Sequence, residues 1–515
     1  MGKSKIYHML SGFNQLKWRI TYKGILAGLI SGLLAVLYRL GIEFGTEKSI
    51  QAYRYLKVHP IFIAPWILFL IAAGFIVYWL TRLEPDAKGS GIPQVEGILL
   101  LGMKMKWYAI LTVRFLAGFM GSLFGVSVGR EGPSIQIGAC GSQALAEKTG
   151  KNKLEENYLI TAGASAGLSA AFNAPLSGIM FALEEIHRSF SPNILIAATA
   201  AALTSDCVSK YFFGLKPVLS YVGISQLPMQ YYMWLPVLGI LSGLVGGITN
   251  KGLLGAGTLY EKIPAVLRPI LAFLIALPCG LFLPQILGGG QGLIKLSENG
   301  EIGIPLLITF LIAKLIFTCT SFGSGIPGGI FMPILAIGAL TGRVFGQAVA
   351  VFDVPAEFIP AFCVCAMAGA MSGSVKAPVT SILLMAEMTG SLVHLLPVAV
   401  VSFVALLTSD ILNISPIYEV LLDRMTGGNR TPVDRKGAGA IIEVPVEPGS
   451  KIAGKRVRDI SWPEGTLIIG LSRGEKEFVP NGDTCVLHGD YLVALSSEQK
   501  YDEMNRRLTE LCRPS

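Results

Sequence analysis

Charged residues are scarce in this chain. Asp, Glu, Lys and Arg make up 15% of its 515 residues, against 52% hydrophobic, where soluble domains carry about 25% charged residues. With a mean hydropathy of +0.58, this composition argues against a large soluble α/β enzyme. Histidine is rare too. The five are dispersed, and no His, Cys or Asp grouping has metal-ligand spacing, so no metal centre or other cofactor is expected. The eight cysteines form neither a disulfide framework nor a CxxC pair, and Cys363 and Cys365 read as small core residues. The first twenty residues hold Lys3, Lys5, Lys17 and Arg19 but no long apolar stretch, so no cleavable signal is expected; the context of Gly2 does not favour myristoylation. The net charge of +8 suits cytoplasmic loops and tails of a membrane protein better than a nucleic-acid partner.

What is present is a series of apolar runs from Gly24 to about Leu412. Several are shorter than the about 20 residues that a spanning helix needs, and many are broken by Gly and Pro. Broken helices are tolerated at membrane depth only where protein or a water-filled cavity surrounds them. The pattern points to a transporter or channel with half-helices meeting near the midplane. A basic N-terminus (1–20) precedes this membrane domain (21–425). A polar linker (426–437) and a small domain (438–515) follow it. In that domain alternation predicts short strands at Ile441–Val446, Leu467–Ser472, Phe478–Pro480 and Tyr491–Leu495, and a helix over Glu498–Leu511.

Two stretches repeat. Residues 129–139 align with 329–339 at an offset of 200, with Gly, Pro and Ile-Gly-Ala shared. Ala174-Pro175, Ile179 and Glu184 match Ala377-Pro378, Ile382 and Glu387. This predicts two homologous halves, with chance likeness between Gly-rich apolar segments as the other reading. The repeat breaks at Arg130 and Glu131, opposite Ile330 and Phe331, and at Glu185, opposite Met388. Glu131 and Glu185 are therefore acids that the scaffold does not require, and acids inside a membrane domain are usually functional.

Gly89-Ser90-Gly91-Ile92-Pro93 and Gly323-Ser324-Gly325-Ile326-Pro327 are one pentapeptide used twice. Proline suits a first helical turn, glycine lets backbone N–H groups approach a ligand, and a helix N-terminus favours an anion. Gly-Ser-Gly could also simply permit helix packing. Glu131 lies in a similar Gly- and Pro-rich start, where an ionised carboxylate can itself occupy an anion site and give it up on protonation. The plainer reading is an Arg130–Glu131 pair, although adjacent side chains on a helix do not face each other.

Those motifs, together with Gly-Ile-Pro-Gly-Gly-Ile-Phe-Met-Pro at 325–333, Asn173-Ala174-Pro175-Leu176, Glu184-Glu185, Glu387-Met388-Thr389 and Tyr418, resemble the signatures of the CLC chloride channels and transporters over roughly residues 20–425. The resemblance implies an all-α polytopic membrane protein with inverted repeats and broken helices, plus a small cytoplasmic α/β domain. It implies a homodimer in membrane lipid, with an anion pathway in each subunit. Ser90 and Tyr418 would bind chloride through their hydroxyls, with Gly89, Gly91 and the N–H groups of Ile330 and Phe331 completing the site. Arg130, Gly129, Gly132 and Gly329 would support it. Glu131 would be the external gate and proton acceptor, and Glu185 the internal proton-transfer residue. The activity implied is exchange of chloride for protons; a passive voltage- or pH-gated chloride channel is the alternative. Gln94 departs from the acid often found there in bacterial relatives.

Residues 438–512 resemble a TrkA-C domain through Leu471-Ser472-Arg473-Gly474, Val479-Pro480-Asn481-Gly482-Asp483-Thr484 and His488-Gly489-Asp490. That likeness implies a small ligand, a nucleotide or an ion, with a ligand-free assembly domain as the other reading. It would also suit a cation-transport component, which the anion-site motifs oppose. A bacterial or archaeal inner-membrane protein with both termini cytoplasmic is expected, and no enzyme activity.

Overall fold

Proline opens many of the membrane helices: Pro93, Pro175, Pro192, Pro305, Pro360 and Pro378 all stand in first turns, where a missing N–H removes no helical bond. The structure, a computed structural model, describes residues 3–149, 153–188, 190–215, 217–219, 221, 225–299, 302–427, 439–473, 476–497 and 501–513. A first series comprises α1 (Lys3–Val58), α2 (Ile63–Leu83), α3 (Ile92–Leu101), α4 (Trp107–Leu123), α5 (Glu131–Thr149), α6 (Lys153–Phe172), α7 (Pro175–Phe181) and α8 (Pro192–Phe213). A second comprises α9 (Trp234–Glu261), α10 (Leu267–Phe282), α11 (Gln291–Asn299), α12 (Ile304–Gly323), α13 (Phe331–Val349), α14 (Ile359–Val375), α15 (Pro378–Thr389) and α16 (Leu395–Ile411). Then comes α17 (Ile417–Met425). Among the described residues six helices are long and apolar enough to cross a membrane.

The two series pack alike. α5 lies on α6 as α13 lies on α14, α1 on α8 as α9 on α16, and α6 on α8 as α14 on α16. Two contacts join equivalent positions. Gly129 N–H donates to Gly329 O (2.6 Å) and Gly329 N–H to Gly129 O (2.7 Å), an antiparallel bridge. The Glu184 carboxylate accepts from the Thr380 N–H (2.8 Å) and hydroxyl (2.7 Å) at the start of α15. The Glu387 carboxylate accepts from the Ser177 N–H (2.8 Å) and hydroxyl (2.5 Å) at the start of α7. Each half thus caps a helix of the other. Such an exchange relates the two series by a local two-fold axis, so the repeat is real.

The second pentapeptide departs from its reading as a helix start. Residues 323–327 end α12 and lead into a loop, and the helix begins only at Phe331. Its counterpart in the first half is the stretch around Gly125, which has φ +82 where Gly325 has +79. Only 89–93 opens a helix at its own proline. The apolar run Leu159–Leu183 breaks between α6 and α7 at Asn173, whose φ is +54. Within α6, Gly163-Ala164-Ser165-Ala166-Gly167 has the G-x-S-x-G form but not the strand-to-helix turn of a nucleophile elbow. It lies mid-helix and serves packing: a Cβ on Gly167 would lie too close to the Ser134 carbonyl on α5.

The chain divides into two units, Met1–Leu422 and Asp423–Ser515. Of the expected linker, residues 428–437 lie outside the described residues. In the second unit β1 (Gly439–Pro445), β2 (Leu467–Arg473), β3 (Lys476–Phe478) and β4 (Tyr491–Ser497) form an antiparallel sheet in the order β1-β4-β2-β3. The third strand ends where it was expected to start. α18 (Tyr501–Cys512) buries Met504, Leu508 and Cys512, spaced i, i+4, i+8, against Ile442, Val444, Leu471, Leu492 and Ala494.

Asp490 is buried beside this core. Arg473 Nε and Nη2 donate to its two oxygens (2.7 and 2.8 Å), and Leu487 N–H donates at 2.8 Å. Burial alone would push this carboxyl up, but the Arg473 and Leu487 bonds outweigh it and hold the group below its ordinary 3.8. A depressed carboxyl stabilises the fold above its unfolded pKa and loses that contribution as pH falls through the folded value. Arg473→Met removes both guanidinium bonds and leaves the buried carboxylate with the Leu487 N–H alone, at a cost of about 1–3 kcal/mol. Hydrogen exchange of residues 441–495 in the full chain should accelerate accordingly at pH 7, and the difference from wild type should shrink in acid.

Candidate anion-binding site

Three loops that lead into helices build the site, and glycine makes each of them possible. In the first, Gly89 (φ +62) and Gly91 (φ +96) take left-handed conformations that favour glycine. Arg114, wholly buried on α4, fastens this loop. It donates to Gly89 O (2.6 Å), Lys88 O (3.3 Å) and Gln136 Oε1 (2.5 Å). Gln136 Nε2 in turn donates to Asp86 O (3.0 Å). Gln94 Nε2 donates to Lys88 O (2.7 Å), so the departure at position 94 closes the same loop. From the second half, Gly328 N–H donates to Gly89 O (3.0 Å).

Ser90 is thereby held rigidly, 2% exposed, and Tyr418 on α17 is 0% exposed. Their hydroxyls lie within electrostatic reach of each other, yet neither has a hydrogen-bond partner in the protein. Buried hydroxyls are normally satisfied, and an unmet one costs about 1–3 kcal/mol. Two such groups side by side are what a bound acceptor would satisfy. Ile330 and Phe331, both buried, stand at the start of α13. Their N–H groups belong to a first turn, which has no helical acceptor and carries partial positive charge. The Phe331 ring stacks on Tyr418 (6.0 Å, 19°) and meets Phe181 edge-on (5.3 Å), so Phe331 also walls the site.

Glu131 begins α5 and is 0% exposed. Neither carboxylate oxygen has a hydrogen-bond partner. One rests where a Cβ on Gly129 would be; a Cβ on Gly132 would come within 2.6 Å of the Ser90 hydroxyl, and one on Gly329 within 2.9 Å of Gly132 N. The three supporting glycines therefore bring Glu131, Ser90 and the two helix starts together. Arg130 Nε lies 4.0 Å from Glu131 Oε1, while Arg130 Nη1 bonds Glu43 on α1. A cavity of about 460 Å³ opens onto Gly129, Arg130 and Glu131, with Glu43, Glu47 and Lys295 among its other walls. Lys314, wholly buried, secures one wall by donating to Ile286 O (2.9 Å) and Gly288 O (2.7 Å).

Glu185 belongs to a different cluster. It sits in a widened helical turn, Ala182–Ile186, and is 5% exposed. Arg188 Nη2 lies 4.0 Å from its Oε1 and 3.8 Å from Glu96 Oε2. Sequence reasoning missed Arg114, Gln136 and Glu43. For Arg114 a signal existed: it is the one charge in the apolar run Tyr108–Val128. Among the described residues no group of His, Cys, Asp and Glu could hold a metal ion.

Residues 69–410 match the family described as voltage gated chloride channel, and residues 441–509 match the TrkA-C domain. The H(+)/Cl(-) exchange transporter ClcA of Salmonella agona (strain SL483) is 33% identical over 421 residues, 79% of this chain and 88% of that protein. That of Cronobacter sakazakii is 34% identical over 419 residues, 78% and 88% of the two. Among solved structures, a slow cyanobacterial Cl-/H+ antiporter superposes with a TM-score of 0.74 at 28% identity, covering 80% of this chain and 99% of that one. A CLC-type fluoride/proton antiporter gives 0.62 at 25%, covering 76% and 96%.

The Arg114 fastening has a measurable consequence. Arg114→Met removes two bonds to the Ser90 loop and one to Gln136, and halide binding by calorimetry should weaken at least tenfold, about 1.4 kcal/mol. An unchanged Kd would show that the loop holds itself.

Proposed function

The chain belongs to the voltage gated chloride channel family, a family of multi-pass membrane proteins, and from that premise we propose that it is a secondary active transporter exchanging chloride for protons across the membrane. The observation that carries this is the fully buried carboxylate of Glu131, with Arg130 Nε 4.0 Å away and beyond hydrogen-bond length, close to the Ser90 hydroxyl, which like that of Tyr418 has no hydrogen-bond partner in the protein. A carboxylate and a halide are both anions, and both suit the same helix starts. Ionised, Glu131 competes for that place. Protonated, it loses its claim on the N–H dipoles, and chloride enters between Ser90, Tyr418 and the amides of Ile330 and Phe331. No full cation contacts the halide in this scheme, so binding stays weak enough for release.

Exchange needs a second proton station, and Glu185 is that station. Its Oε1 has no hydrogen-bond partner, and Arg188 nearby favours the return of its charge once the proton leaves. The Tyr418 hydroxyl is within electrostatic range of both acids. Relatives named as exchangers support the coupled reading over a passive channel. We take the protein to be a homodimer in the inner membrane with both termini cytoplasmic, and its TrkA-C unit to be a regulatory module for a nucleotide or an ion.

Reconstituted in liposomes, the protein should show a reversal potential that moves with the proton gradient at fixed chloride; indifference to pH would leave only a channel. Glu185→Gln should abolish proton movement while chloride flux persists. Glu131→Gln should also uncouple protons, and its chloride flux should lose the rise with falling pH that wild type shows.

A further inference from the structure

Glu43 takes no part in the reading above, and its sequence surroundings give it no role. In the structure it lies on α1 at the edge of the cavity that opens onto Glu131. Its side chain is 38% exposed there. One oxygen, Oε1, receives two guanidinium groups: Arg39 Nε at 3.2 Å and Arg130 Nη1 in a closer contact. Arg39 is itself fixed. It donates to Asn173 Oδ1 (2.9 Å) and Ala170 O (3.2 Å) and stacks on Phe213 at 3.7 Å. Glu43 is thus anchored from behind and holds Arg130 in front.

The position of Arg130 matters because its Nε is buried, has no hydrogen-bond partner, and stops 4.0 Å short of Glu131 Oε1. That gap exceeds hydrogen-bond length. Without Glu43, Arg130 is free to close it and form a charge-assisted bond to Glu131, of the kind that runs about twice as strong as a neutral one. The other groups that face this pair are Tyr38 and Arg39 from α1 and Tyr418 from α17. Arg114 from α4 faces Tyr38, and Glu47 and Lys295 line the cavity farther out. None of them bonds Arg130 as Glu43 does among the described contacts.

We propose that Glu43 is a positioning residue of the gate: by binding Arg130 it keeps that guanidinium out of hydrogen-bond reach of Glu131, so that Glu131 can take up and release its proton. The proposal rests on Glu131 as the gate. Its sign follows from the geometry. Removing Glu43 lets Arg130 favour the ionised form of Glu131, so transport requires more acid.

The test is chloride flux against pH, with the full-length protein in liposomes. Glu43→Gln should move the half-maximal pH of transport down by about one unit or more, and Glu43→Asp should restore most of it. Arg130→Gln removes the group through which Glu43 acts, so Arg130→Gln and the double variant E43Q/R130Q should give one profile; this comparison holds even if E43Q alone fails to fold. A profile of E43Q that superposes on wild type overturns the proposal, as does a difference between R130Q and the double variant. If Glu131→Gln keeps the wild-type pH dependence, the gate itself is misassigned. If it loses that dependence while E43Q stays at the wild-type midpoint, only the role of Glu43 fails.

Discussion

Two helix starts facing each other across a pair of glycines are the constraint on which the rest depends. The reciprocal bonds between Gly129 and Gly329 set the first turns of α5 and α13 close together. Each first turn carries unmet N–H groups and partial positive charge, so the arrangement repels itself unless something negative lies between. Glu131 lies at that meeting point, and the glycines let its carboxylate, Ser90 and the two helix starts approach one another.

Buried charge elsewhere follows the same logic of local satisfaction. Arg114 and Lys314 are wholly buried, and each spends its donors on backbone carbonyls or a side-chain amide. These cations therefore act as fasteners for the loops and leave the site to dipoles. Arg130 is the exception, since it is shared between Glu43 and the neighbourhood of Glu131.

Much of this was legible in the sequence, for physical reasons that can be named. The offset of 200 between Gly129 and Gly329 marks a contact between equivalent residues, and the mismatch of Glu131 with Phe331 marks where the two halves differ at that contact. Ser90 and Tyr418 were reached through family resemblance and not through pattern, because a hydroxyl has no periodic signature. The second pentapeptide was misread because Gly and Pro punctuate helix ends as well as starts, and only the hydrogen bonds tell the two apart. Glu43 was illegible: its partners Arg39 and Arg130 come from one helix turn away and from 87 residues away.

The exchanged caps of Glu184 and Glu387 carry a further meaning. Each half of the membrane unit lacks the group that finishes its own short helix and finds it in the other half. That is an isologous contact, the kind two identical subunits make across a two-fold axis. The membrane unit is in this sense a dimer written as one chain, and a single chain can hold an acid at position 131 and an aromatic ring at the equivalent position 331. A true dimer of identical chains would place two carboxylates, or two rings, at the same meeting point.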